Sequence, residues 1–316
     1  MLILNGLRIA TGDDDEAVDV VWRTRRVDSL PAEPGAGDPI AIVRGERIGS
    51  GDSTDHIFGY DGRVRCRFRI DPDGSAISCR AIPEVSDRDL FSLFAEPVMR
   101  TILVRRGLLS FHAAALARNG RAILIMADKG AGKSTLSWAL QRQSWQLLAD
   151  DLARVEAVRG RWSVFAGHRQ TKLTPAAARA FGHSAEAMPV RFDDPGPAAS
   201  AALFDKRVID PADALADPSA AVPLAALCFL TARDPSATDV RIERLVPSAA
   251  VRHLLDHATP DPLGSAPAVP PGLQRAVGGL ATEVQAVALT LPDRFDRLDD
   301  AAEALEVLAA TLKASA

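Results

Sequence analysis

One stretch constrains this chain more than any other: Arg121-Ala-Ile-Leu-Ile-Met-Ala-Asp-Lys-Gly-Ala-Gly-Lys-Ser-Thr135. Ile123, Leu124, Ile125 and Met126 make a continuous apolar run, the pattern of a buried strand. The run empties into a short loop holding Gly130 and Gly132, and Thr135 to Arg142 then has helical composition with no breaker. Strand, glycine loop and helix in that order predict an α/β fold in which backbone N–H groups at a helix N-terminus face an anion.

Residues 127–134 fill the phosphate-loop pattern G-x-x-x-x-G-K-[ST], with Ala127 in place of the first glycine. Asp128, Lys129, Gly130, Ala131, Gly132, Lys133, Ser134 and Thr135 are therefore expected to line a nucleotide site. Lys133 would reach the β- and γ-phosphates, and Ser134 would ligate Mg²⁺ through its hydroxyl. The two glycines would let the backbone curl without a Cβ clash.

A chain of 316 residues allows one large domain or two smaller ones. Its net charge of −4, with both signs interspersed, argues against nucleic acid or an anionic membrane as the main partner. Cys66, Cys79 and Cys228 lie far apart without metal-ligand spacing, as expected of reduced core residues in a cytoplasmic protein. The apolar runs are too short for a signal peptide or a membrane span.

Residues 1–85 read as a β-rich N-terminal region and residues 86–316 as the domain that carries the loop. In the first region, turns are expected at Gly12-Asp-Asp-Asp15, Pro34-Gly-Ala-Gly37, Asp61-Gly62 and Asp71-Pro-Asp-Gly74. Val64 to Ile70 alternates apolar and basic strictly, so it reads as a half-buried strand, with Ala76 to Ile82 as its hairpin partner. Arg65, Arg67 and Arg69 share one face of that strand. Such a row is most often solvated, although a peptide or an anion could use it. Ser86 opens a helix that Pro97 should kink and Gly107 should end.

Asn119-Gly120 is a two-residue hairpin signal, so Phe111 to Ala117 should pair antiparallel with the strand leading into the loop. That pairing brings His112 close to the phosphate loop. Beyond the loop helix, Ser144-Trp-Gln-Leu-Leu-Ala-Asp150-Asp151 is a short strand ending in acid, as a metal-holding carboxylate beside a phosphate loop requires. One aspartate would hold Mg²⁺ with Ser134, and the other would accept the proton of an attacking hydroxyl. A hairpin pivoting at Arg159-Gly160 follows. Arg169 and Lys172, in a cationic loop before a helix starting at Pro175, and Lys206 and Arg207 further on, are candidate substrate-binding cations.

Asp194 to Ser200 and Thr259 to Gly272 read as irregular loops, the second a possible site for a lid. Leu224 to Leu230 is a core strand with Asp239 to Arg244 as its neighbour, and Val284 to Leu289 reads as an edge strand. Helices are expected from about Ser248 to His257, from Leu273 to Gly279 and from Leu298 to Leu312.

Phe111-His-Ala-Ala-Ala-Leu, Asn119-Gly-Arg-Ala-Ile-Leu, Gly130-Ala-Gly-Lys-Ser-Thr135 and Leu147-Leu-Ala-Asp-Asp151 together resemble the core of the HPr kinase/phosphorylase family. Within it the chain looks most like the HPr-kinase-like proteins of peptide-modifying clusters, including lasso-peptide kinases. The match covers about residues 108–156. It implies a mixed sheet with flanking helices and Mg-ATP-dependent transfer of a phosphoryl group to a serine-type hydroxyl of a peptide or protein. In that reading Asp150 completes the metal site with Ser134, Asp151 is the general base and His112 positions the phosphate or the acceptor. A homo-oligomer stays open. Thr135 stands where the family typically has glutamate, and the family's signature for acting on HPr is not apparent downstream. A small-molecule kinase and a non-catalytic nucleotide-binding regulator are the competing expectations.

Overall fold

The computed structural model describes residues 1–11, 18–30, 42–48, 53–60, 63–190, 205–211, 213, 215, 217–231, 236–258 and 271–311. The turns expected at 12–15, 34–37 and 61–62 lie outside them. So do the loop 194–200, most of the loop 259–272 and Leu312. The chain divides into two compact units. The first is built chiefly from Met1–Arg106 and Lys172–Ile209, the second from Gly107–Thr171, Asp210–Pro260 and Pro267–Ala316. The division falls later than residue 85 because Leu90, Phe94, Val98, Met99 and Ile102 of the helical segment are buried in the first unit.

The first unit carries a seven-stranded sheet in the order Leu2–Leu4, Leu7–Thr11, Val20–Arg26, Ala76–Ala81, Arg63–Ile70, Ser53–Tyr60, Ile42–Ile48. The alternation expected over residues 64–70 is present: Cys66, Phe68 and Ile70 are fully buried while the arginines between them are not. Asp71 to Gly74 turns the chain into Ala76–Ala81, with Gly74 at φ +71°. Ser86 caps the following helix by accepting from the Asp89 N–H at 3.1 Å. Pro97 lies within a turn of π-helix at Phe94–Val98, and α-helix resumes over Met99–Arg105. Proline lacks the N–H that the α-helical ladder needs, and the wider turn absorbs its ring. Phe94 then stacks on Trp22 with ring centroids 4.2 Å apart.

The second unit is built on a nine-stranded mixed sheet. Its main run is Gln146–Ala149, Ala113–Arg118, Arg121–Ala127, Ala221–Leu230, Gln285–Thr290, Arg241–Arg244. Arg121–Ala127 lies parallel to Ala221–Leu230, and this strand lies parallel to Gln285–Thr290. Arg161–Phe165 pairs with the start of Ala221–Leu230 and continues through Ala153–Val158 to Ser110–Phe111. Here two expectations are corrected. Gln285–Thr290 is interior rather than an edge strand, and Arg241–Arg244 pairs with it instead of with Ala221–Leu230. The burial explains the order: Ala286, Val287 and Leu289 are buried, whereas Arg241, Glu243 and Arg244 are exposed and suit an edge. The last helices span Pro247–His257, Pro271–Glu283 and Leu298–Thr311. Among the described residues no helix is long and apolar enough to cross a membrane. All three cysteines are free and buried, and burial pushes the thiols of Cys79 and Cys228 up to about 12.

Candidate functional site

The strand Arg121–Ala127 ends in the glycine loop, and the helix Lys133–Arg142 leaves it. Ala127 is the last residue of the strand, so a position that is often glycine needs no special backbone here. Gly130 and Gly132 sit at φ +91° and +106°, a region that a Cβ would strain. Gly132 is the residue from which the helix starts, and the Leu136 N–H donates to its carbonyl at 2.9 Å. The N–H groups of the first helical turn are left for another acceptor.

Asn119 and Gly120 both have positive φ, at 53° and 73°, the geometry of a tight hairpin turn. The hairpin sets Met126 opposite Ala113. The expected antiparallel partner is present but shorter, because Ser110–Phe111 leaves to pair with Ala153–Val158. His112 stands at that break between two strands. The next strand over, Gln146–Ala149, ends where Asp150 begins, and the Asp150 N–H donates to the His168 carbonyl at 2.9 Å.

These elements converge on one cluster. The Lys133 ammonium lies 2.7 Å from Asp150 Oδ1 and 2.8 Å from Asp151 Oδ1. Burial alone would lower its pKa; the two carboxylates outweigh that and hold it well above the ordinary lysine value, so Lys133 is cationic. Asp150 Oδ1 also accepts the Asp151 N–H at 3.0 Å. Asp151 adopts φ +65°, which costs a non-glycine residue on the order of 1 kcal/mol and turns its side chain back toward the loop lysine.

His112 Nδ1 lies 3.1 Å from the Asp151 carbonyl oxygen. A carbonyl only accepts, so Nδ1 carries the proton and Nε2 is the nitrogen left facing Asp151 Oδ1, 3.9 Å away. The two aspartates differ in access: the Asp150 side chain is 1% exposed and that of Asp151 17%. Asp150 Oδ2 is buried and meets no donor among the described residues. Such a buried carboxylate oxygen suits a cation, which fits the expectation of Asp150 as a protein ligand for Mg²⁺. Among the described residues no group of three or more His, Cys, Asp and Glu is arranged to hold a metal by itself. Mg²⁺ does not need one, since it usually keeps waters and shares its shell with substrate phosphate.

The candidate substrate cations are otherwise engaged. Arg169 Nε donates to the Leu147 carbonyl at 2.6 Å and its guanidinium pairs with Asp213 at 3.0 Å, so it braces the strand that ends at Asp150. Lys172 belongs to the first unit and forms a fully buried pair with Glu96. Arg207, in the same unit, donates to the Ala185 carbonyl at 2.6 Å and pairs with Asp205 at 2.8 Å. Lys206 is half-buried beside it.

Two site neighbours were not foreseen. The helix Pro247–His257 ends against the site: the His112 N–H donates to the His257 carbonyl at 2.8 Å. Its His253 and His257, one helical turn apart, both stack on Phe229, with centroids 4.8 and 6.4 Å away. Only the i, i+4 spacing of the two histidines hinted at a shared face. A cavity of about 320 Å³ lined by Leu224, Leu245, Pro247, Glu283 and Gln285 lies at the other end of the parallel strands from the glycine loop.

No family model matches this chain, and no curated protein matches it. Among solved structures it is similar to the HPr(Ser) kinase/phosphatase from Coxiella burnetii, at 14% sequence identity over 64% of this chain and 88% of that one, with a TM-score of 0.30. A score so low leaves the chemistry to be judged from the side chains alone.

Proposed function

We propose that this protein is an Mg-ATP-dependent phosphotransferase acting on a serine-type hydroxyl of a peptide or protein. One observation carries the reading: Lys133, Asp150 and Asp151 meet within 2.8 Å at the mouth of a glycine loop that opens a helix, with Asp150 Oδ2 unpartnered among the described residues. A nucleotide's phosphates would lie along the N–H groups of the loop, where the helix dipole favours negative charge. Lys133 would turn from the aspartates to the phosphates. Bound Mg²⁺ supplies charge neutralisation on the phosphate oxygens, with Ser134 and Asp150 as its protein ligands.

Asp151, the more accessible carboxylate, then accepts the acceptor's proton. The acceptor oxygen bonds to the terminal phosphorus as the bond from phosphorus to the bridging oxygen breaks, releasing the nucleoside diphosphate. His112 orients Asp151 through the bond to its carbonyl and presents Nε2 to its carboxylate. The resemblance to kinases of peptide-modifying clusters motivates a peptide acceptor and, more narrowly, a role in lasso-peptide tailoring.

The test is labelled ATP offered with serine-containing peptides and, in parallel, with sugars and cofactors carrying hydroxyls. Label on a peptide serine, lost in Asp151→Asn while nucleotide still binds, is the expected result. Label on a metabolite alone would replace the acceptor class. ATP-dependent partner binding without any labelled product would favour a regulator.

A further inference from the structure

The outer face of the first unit's sheet gathers arginines from three neighbouring strands. Arg25 lies directly opposite Arg80, and Arg80 directly opposite Arg67. One step along, Arg23 lies opposite Ser78 and Ser78 opposite Arg69. The residues that alternate with them, Cys79, Ala81, Cys66 and Phe68, are buried, so the arginines share the face away from the core. Arg23, Arg25 and Arg80 are exposed.

Such a row is unfavourable for the fold by itself, because like charges directly opposite on a sheet repel. The effect is visible at Arg67, where burial and the neighbouring Arg69 and Arg80 lower the guanidinium's pKa. Asp55, fully buried on the next strand, offsets part of the charge: Arg69 clamps it through two bonds of 2.7 Å, and Arg67 lies at 3.4 Å. Arg25 and Arg80 have no such partner among the described residues. In a chain whose net charge is −4, this concentration is local.

We propose that this face docks an acidic polypeptide segment in extended conformation. Alternate residues of an extended peptide repeat at about 6.6–6.8 Å, the same repeat that separates Arg23 from Arg25 and Arg67 from Arg69 along their strands. Guanidinium forks match carboxylates two bonds at a time, as Arg69 and Asp55 already do within the patch. Nucleic acid fits less well. Ser78 lies between Arg23 and Arg69, and Val21 and Ala76 lie one step beyond, so these rows hold no aromatic ring to stack a base. The inference is independent of the phosphoryl-transfer reading.

The experiment uses the full chain and a fluorescein-labelled peptide of alternating Glu and Ser, followed by anisotropy, with a Gln-Ser peptide as control. The Glu-Ser peptide should bind with an affinity that falls as salt rises, and the control should not bind. Arg25→Gln/Arg80→Gln should weaken binding about tenfold or more with an unchanged melting temperature. If the double variant fails to fold, Arg23→Gln alone should weaken binding about threefold. Undiminished binding in a folded variant overturns the proposal. So does an oligodeoxythymidine of equal length that binds as tightly as the peptide and is weakened by the same substitutions.

Discussion

Each unit buries a lysine against carboxylate, and the two clusters are built differently. In the first unit Lys172 pairs with Glu96, with side chains 1% and 6% exposed. Both members of the pair are shielded from solvent. In the second unit Lys133 is shared by Asp150 and Asp151, and one buried oxygen of Asp150 has no donor among the described residues. That cluster keeps a buried acceptor on Asp150, and Asp151 is partly open to solvent, so it can take up a cation. Burial of a lysine therefore says little about its role; the acceptors around it and their access say more.

The contrast can be broken most directly at its structural end. Lys172→Met takes the ammonium away from the buried Glu96 and should cost about 3–5 kcal/mol. Mg²⁺ should not restore the loss in thermal unfolding, and an unchanged melting temperature would mean that the pair does not hold the first unit together as described. Lys133→Met should cost less, roughly 3 kcal/mol, because Asp151 can turn toward water. Here millimolar Mg²⁺ should recover part of the stability. A melt as insensitive to Mg²⁺ as that of Lys172→Met would erase the distinction between the two clusters.

Asp151→Asn keeps the shape of the second cluster and removes the base we propose. Transfer should fall about a hundredfold, near 2.7 kcal/mol in barrier, while ATP still raises the melting temperature. Full transfer activity in this variant would move the base assignment elsewhere.

The smallest effect concerns His257. Burial lowers its pKa below the ordinary 6.5, His253 and Lys133 push the same way, and Asp128 and Asp256 oppose them. A depressed value favours the neutral folded form, so its contribution to stability is complete above pH 6.5 and is lost as pH falls through the lower folded value. His257→Gln should flatten the acid side of the stability profile there. Lys133 stays cationic in that window, so a profile unaltered by the substitution would assign the acid sensitivity to other groups.

Much of the second unit's centre was legible because it is local. Asn119-Gly120 demands a tight hairpin, Gly130 and Gly132 occupy positions where φ is positive, and the apolar strand after Trp145 stops at Asp150. The wrong strand order around Gln285–Thr290 has the opposite origin. A parallel pairing between residues some sixty positions apart leaves no turn to read, and an apolar run of that length fits an edge or an interior equally well. Arg169 and Lys172 were read as free cations because a loop's composition does not reveal which carbonyl or carboxylate will meet it.

The sequence by itself determined the phosphate-loop pattern, the acidic strand end and the arginine alternation of residues 64–70, since each depends on neighbours a few residues apart. Only the tertiary structure decided that Lys133 bridges both aspartates, that His112 faces the more exposed of them, and that Arg25, Arg80 and Arg67 stand in one row. Those outcomes depend on strand register and on charges brought together from distant parts of the chain, where burial and Coulomb energy act through space rather than along the sequence.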